Sequence, residues 1–263
     1  MDNKNQEIEQ WDGSLYSQNS DFQFSRALKL ISLHTFHGTE VILDVGCGDG
    51  KISAELARRV PGGKVVGIDF SADMISHAKA AHQVDNLEFF TMNAEHINAE
   101  SEFDLVTSFF SLHWVPDKKE AIRRIFRSLK PGGQAILIMP HRNEILANAR
   151  FQVLDLPEWK TVFAEANEFT APLKDTRYLQ YAESEGFEIT FYDTHAEQIN
   201  FPNVQSLTDL VRSITAHLGM ISSEADKQKF MHQLMENYFK EVPVLPDGSC
   251  SISFDFITMI ISR

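Results

Sequence analysis

The apolar positions of this chain change period as it is read from one end to the other. From Phe22 to His34 they recur at helical spacing, at Phe24, Leu28 and Ile31. Val41-Ile42-Leu43-Asp44-Val45 is then a short β-branched run stopping at Gly46, the pattern of a strand buried on both faces. A glycine-rich turn leads into a helix predicted over 51–60, which Pro61-Gly62-Gly63 closes. The alternation continues with a strand over 64–69 and a helix over 72–82 that has Ser71 at its N-cap. Strands follow over 87–92 and 103–109. Asp117, with Glu120 three residues on, is a capping-box-like helix start. That helix runs to Leu129 and ends at Lys130-Pro131-Gly132-Gly133, and the fifth strand is read over 134–139. Strands alternating with helices predict a parallel sheet with helices on both faces.

After Pro140 the rhythm changes. Residues 141–185 read as helix-rich and hold Trp159 and Phe163. A sixth strand is predicted over 187–193. Two amphipathic helices follow, one carrying Leu207, Val211, Ile214 and Leu218, the other Met231, Leu234 and Tyr238. A final buried strand is predicted over 252–261. Residues 200–245 are thus an insertion between the last two strands, expected to pack over the open end of the sheet. The stripe on 207–218 either packs against the sheet or lines an apolar pocket. The organisation expected is one domain over 1–263: an N-terminal helical segment (1–38), a core (39–140) and a cap region with the last two strands (141–263).

Composition narrows the function by exclusion. With 24 basic and 37 acidic residues the net charge is −13, a surface that repels a phosphate backbone, so no nucleic-acid partner is expected. The two cysteines, Cys47 and Cys250, make neither a disulfide framework nor a zinc site. The histidines lack metal-ligand spacing, so no metal is expected. Met1 to Gln10 is polar with no apolar signal core, and no stretch approaches the ~20 apolar residues of a membrane span. The expected compartment is the cytoplasm, with no membrane partner; oligomeric state is not legible.

The chemistry concentrates at Asp44-Val45-Gly46-Cys47-Gly48-Asp49-Gly50, where the first strand opens into a helix. Glycines there let backbone approach a ligand closely, and the helix N-terminus behind them offers free N–H groups. Asp69 closes the second strand and suits ribose hydroxyls. A dinucleotide-binding fold competes for this pattern. Its G-x-G-x-x-G fingerprint is not met, because Lys51 stands where the third glycine belongs. Asp44, two residues before the first glycine, suits a cation better than a pyrophosphate. The bland alternative is a tight strand-to-helix turn without a ligand.

Asp44–Gly50 together with Gly67-Ile68-Asp69 resembles the signature of the class I S-adenosylmethionine-dependent methyltransferases. Asn93-Ala94-Glu95 resembles that family's adenine-contacting segment, with Asn where Asp is the common residue, and Leu129-Lys130-Pro131-Gly132-Gly133 is also typical of it. The resemblance implies an α/β, Rossmann-like, seven-stranded sheet in the order 3-2-1-4-5-7-6, strand seven antiparallel, with a helical cap insertion. It implies S-adenosyl-L-methionine as cofactor. The cofactor-binding set it implies is Tyr16, Asp44, Gly46, Cys47, Gly48, Asp69, Phe70, Met74, Asn93, Ala94, Glu95, Ser108 and Phe109.

Ser108-Phe109-Phe110-Ser111-Leu112-His113-Trp114-Val115-Pro116-Asp117 follows the fourth strand. It resembles the S-F-x-x-L-H-W-V run of juvenile hormone acid methyltransferases. Leu15-Tyr16, with Asn19 and Gln23, is similar to their N-terminal pattern at a different Asn spacing, and Trp159–Phe163 and Gly186-Phe187 have rough counterparts. Trans-aconitate methyltransferases are a looser match. Both families esterify carboxylates, so the resemblance implies O-methylation of a small carboxylic acid, with Gln23 and Trp114 orienting the acceptor. A carboxylate is already ionised at pH 7 and needs no general base, only donors that align it and a site free of water. Gln23 and Trp114 are neutral donors that leave its nucleophilicity intact.

Each residue has a plainer reading. Trp114 could be a structural aromatic, Gln23 a solvated helix residue, Tyr16 packing for its own segment, and Cys47 a small packed residue. His113 is either a base or a neutral ring beside the cofactor. A phenol, amine or carbon acceptor, or a non-catalytic cofactor-binding partner protein, are the alternatives to acid methylation. Few positive charges near the acceptor residues favour a monoacid with an apolar tail.

Overall fold

A computed structural model describes residues 21–163 and 175–263. Their contacts divide into two compact units, one holding residues 21–140, 175–194 and 257–263, the other residues 141–163 and 195–256.

The first unit is built on a seven-stranded sheet in the order β3-β2-β1-β4-β5-β7-β6, with β7 antiparallel, as the resemblance implied. Its strands are β1 (Val41–Val45), β2 (Lys64–Asp69), β3 (Leu87–Thr91), β4 (Phe103–Phe109), β5 (Leu129–Arg142), β6 (Glu188–Phe201) and β7 (Cys250–Ser262). β1 lies in the middle, in parallel register with β2 on one side (Asp44 beside Gly67) and β4 on the other (Asp44 beside Thr107). The strand order reverses between β1 and β4. Their carboxyl ends therefore diverge into turns on opposite faces, the place where open α/β sheets bind ligands. Helix α1 (Asp21–Ile31) precedes β1; α2 (Lys51–Arg59), α3 (Ala72–Ala81) and α4 (Lys118–Ser128) connect the strands. α2 buries Ser53, Ala54, Leu56 and Ala57. Ser71 caps α3 by accepting from the Met74 N–H at 3.3 Å, and Asp117 caps α4 by accepting from the Glu120 N–H at 2.9 Å. Glu120 does not reach back to complete a capping box; its carboxylate pairs with Arg123 and Arg124. Leu43, Val106, Ile122, Ile125 and Leu137 lie in one apolar core with Ile257 and Met259 of β7. Each contributes about 1.5–3 kcal/mol on burial.

Three strands outrun their expected ends. β5 takes in Lys130-Pro131-Gly132-Gly133, which the sequence reads as a turn. The cause is distant: the Gly132 N–H donates to the Arg263 carbonyl at 2.8 Å and the Arg263 N–H to the Gly133 carbonyl at 2.9 Å. β6 and β7 likewise continue well past 193 and begin before 252.

The helical unit contains α5 (Glu144–Leu154), α6 (Pro157–Lys160), α8 (Val204–Ser213) and α9 (Glu224–Glu241), while α7 (Tyr178–Glu185) belongs to the sheet unit. Residues 204–241 are the insertion between β6 and β7 that the sequence predicts. Leu207, Leu210, Val211 and Leu218 pack into this unit's own core with Phe230 and Leu234. Trp159 stacks edge-on with Phe230 at 5.4 Å and donates its indole N–H to Gln233 at 2.7 Å.

Candidate functional site

The carboxyl ends of β1, β2, β3 and β4 bring the sequence-predicted segments to one edge of the sheet. Asp44, one residue before the end of β1, is 2% exposed. Its Oδ2 accepts from the Ser53 hydroxyl at 2.6 Å and its Oδ1 from the Thr107 hydroxyl at 2.8 Å. Asp69 ends β2; its Oδ2 accepts from the Gly48 N–H at 3.0 Å and its Oδ1 from the Ser71 N–H at 2.9 Å. Burial outweighs these bonds and holds both acids at about 6, above the ordinary aspartate range.

The turn differs from expectation in one respect. The structure commits the turn's own N–H groups, and also that of Lys51 at the helix N-terminus, whose donors the sequence reading leaves free. Gly46 and Cys47 donate to the Ile68 carbonyl at 2.7 and 2.9 Å, Gly48 to Asp69, Gly50 to the Cys47 carbonyl at 3.0 Å and Lys51 to Asp49 at 3.2 Å. A pyrophosphate would need those donors and would face Asp44, Asp49 and Asp69, all buried; a cation would not. Gly46 has φ 73°, and a Cβ there would lie 2.1 Å from Cβ of Ser111. The glycine is thus required by the serine of the β4 turn. Cys47 is 6% exposed, and burial pushes its thiol well up, so it is a packed residue without nucleophilic character.

At β3, Asn93 caps the short turn Ala94–His96, its side-chain carbonyl accepting from the Glu95 N–H at 3.1 Å. Ala94 is buried. Glu95, expected beside the cofactor, accepts from the Asp117 N–H at 2.6 Å. Phe70 is half-buried and Met74 buried on the first turn of α3. Ser108 spends its hydroxyl on the Val45 carbonyl at 2.8 Å, where the Ser111 hydroxyl also arrives at 2.9 Å; Phe109 is buried. These two serines tie the end of β4 to the end of β1. Phe110, between them, has φ 56°, a strained conformation for an aromatic residue.

The acceptor-side residues divide. His113 and Trp114 lie in one turn (Leu112–Trp114), ring centroids 4.8 Å apart. Burial, with Lys118 adding to it, pulls His113 down to about 3, so the ring is neutral at pH 7, and its buried Nδ1 has no partner among the described residues. Gln23 on α1 is 9% exposed, with its Oε1 buried and unpartnered among the described residues, which removes the solvated-helix reading. Tyr16 lies outside the described residues. Ser53, Thr107, Ser111 and Lys118 were not singled out from sequence. Lys118 carried a faint signal, since a lysine in the first turn of a helix opposes the helix dipole.

Residues 42–133 match the methyltransferase domain family. The chain is 28% identical to protein 235L of Invertebrate iridescent virus 6, over 94% of this chain and 90% of that one. It is 30% identical to trans-aconitate 2-methyltransferase of Deinococcus radiodurans, over 62% of this chain and 58% of the relative. Against juvenile hormone acid O-methyltransferase of Drosophila melanogaster the identity is 26%, over 73% and 68% of the two chains. A Bacillus halodurans protein named as a methyltransferase has the same fold, with a TM-score of 0.63 at 21% identity, covering 90% of this chain and 98% of that one. No helix among the described residues is long and apolar enough to cross a membrane.

Proposed function

This chain is a class I S-adenosylmethionine-dependent methyltransferase, and on that premise we propose that it methylates the carboxylate of a small acid, giving a methyl ester. The observation that carries the reading is His113. It is the titratable side chain of the turn Leu112–Trp114, and burial keeps it at about 3. A ring that weakly basic is a poor proton acceptor from a phenol or an ammonium group. A carboxylic acid arrives already ionised. The neutral ring can instead donate from its unpartnered Nδ1, in the tautomer that carries the proton there.

S-adenosylmethionine, the cofactor, supplies a methyl group on a sulfonium and needs no further activation as an electrophile. Asp44 and the glycine turn would hold its methionine end, Asp69 the ribose, with Asn93 and Ala94 flanking the adenine. The fit rests on charge: two buried acids held up at about 6 gain from a cationic neighbour. Gln23 and Trp114 would orient the acid through the amide and the indole N–H. The names of the two carboxyl-methylating relatives point the same way.

The test is release of S-adenosylhomocysteine against a panel of monocarboxylates with apolar tails, dicarboxylates and tricarboxylates, set beside phenols and amines. At least one acid should turn over, with a rate at saturating S-adenosylmethionine that is flat from pH 6 to 8 because no base titrates. Turnover confined to phenols or amines, rising with pH, would defeat the proposal.

A further inference from the structure

Two bonds fasten the turn carrying His113 and Trp114 from behind. Glu95, from the segment after β3, accepts from the Asp117 N–H through Oε1 at 2.6 Å. Lys118, 2% exposed, donates from Nζ to the Val115 carbonyl at 3.1 Å. In front, the Ser108 and Ser111 hydroxyls hold the same turn to the Val45 carbonyl. Its middle is closed by the Trp114 N–H on the Ser111 carbonyl at 2.9 Å and the Val115 N–H on the Leu112 carbonyl at 3.2 Å.

Lys118 sits where an ammonium group is doubly disfavoured. It is enclosed by protein, and it stands in the first turn of α4, at the positive end of the helix dipole. Among the described residues, Glu95, on the segment after β3, and Asp175, just before α7, oppose this; Arg177 is engaged with Asp175 at 2.9 Å, and His113 is neutral.

We propose that Glu95 and Lys118 are positioning residues that clamp the acceptor turn to the cofactor-side segment, Glu95 through the Asp117 amide and Lys118 through the Val115 carbonyl. Glu95 then serves the acceptor side and does not ligate the cofactor. The clamp joins the segment following β3 to the turn following β4, so the orientation of His113 and Trp114 depends on the placement of Asn93–Glu95. The assignment of these two rings to the acceptor rests on the reading given under Proposed function; the clamp itself does not.

The experiment compares Glu95→Ala, Glu95→Gln and Lys118→Met with the wild-type chain in three measurements. S-adenosylhomocysteine affinity is measured by calorimetry, amide hydrogen exchange over 113–117 by mass spectrometry, and kcat and KM with the best acid of the panel. Glu95→Ala and Lys118→Met should keep the wild-type Kd, exchange these amides about tenfold faster or more, and lose about tenfold or more in kcat/KM. Glu95→Gln, whose side-chain carbonyl still accepts from the Asp117 N–H, should match the wild type in all three. A Glu95→Ala variant that loses S-adenosylhomocysteine affinity in step with turnover makes Glu95 a cofactor ligand and overturns the proposal. So does unchanged exchange over 113–117, or a Glu95→Gln variant as impaired as Glu95→Ala. If no acid turns over even in the wild type, the acid reading fails while the exchange and affinity measurements still decide the clamp.

Discussion

Lowering the pH from 7 to 5 should weaken cofactor binding by about a hundredfold, because both acids of the cofactor site titrate in that window. Asp44 and Asp69 are each held at about 6 by burial. An acid at that value is about 90% ionised at pH 7 and about 10% at pH 5. If the cationic ligand is held by the ionised form, each acid costs about tenfold in affinity across the interval, and the pair about 2.7 kcal/mol. The same linkage makes binding release about one proton near pH 6, where each acid is half protonated. The sign for the ligand-free protein is opposite. Both acids are raised from the ordinary 3.8, so their contribution to stability is fully present below that value and is lost as pH rises through about 6. Thermal stabilisation by ligand should therefore be larger at pH 7 than at pH 5. Calorimetric titration with S-adenosylmethionine in buffers of different ionisation heat reads both the affinity and the protons released. Asp44→Asn should reduce the pH effect to about tenfold. An affinity that is flat or rises toward pH 5, with no proton released, would refute the reasoning.

Trp114→Phe should lower kcat/KM for the best acid by about 10- to 100-fold with little change in S-adenosylhomocysteine affinity, the loss of one hydrogen bond to a charged group; an unchanged kcat/KM would make Trp114 a packing residue. Gly46→Ala should destabilise the fold by about 2–6 kcal/mol, combining a positive φ with the overlap onto Ser111. Adding Ser111→Gly should recover only part of that in a denaturant titration, and full recovery would show that the backbone angle costs nothing. Cys47 should react with iodoacetamide at pH 8 only as fast as the protein unfolds, and rapid modification of the native chain would contradict its burial.

The first four strands were legible almost to the residue, because β-branched runs that end at Gly46, Asp69 or Phe109 are local signals. The full lengths of β5 and β7 were not. The bonds that extend them join Gly132 and Gly133 to Arg263, at the far end of the chain. The same distance effect governs the site. Asp44, Asp69 and the glycines stand out in the sequence, but the partners that determine their state do not. Thr107 lies 63 residues from Asp44, and the Ile68 carbonyl takes the N–H groups of Gly46 and Cys47. Glycine at 46 reads as a place for ligand approach, yet its constraint comes from Ser111. His113 offered base or neutral ring with nothing local to choose between them. Its burial decides, and burial is a property of the assembled fold.

The most direct measurement supplies the protein with S-adenosylmethionine carrying a carbon-13 methyl group and the acid panel, then finds the labelled carbon by NMR before and after mild alkali. The account predicts the label in a methyl ester, released as methanol by alkali, in step with S-adenosylhomocysteine. Label in an alkali-stable ether, amine or carbon–carbon bond would contradict it.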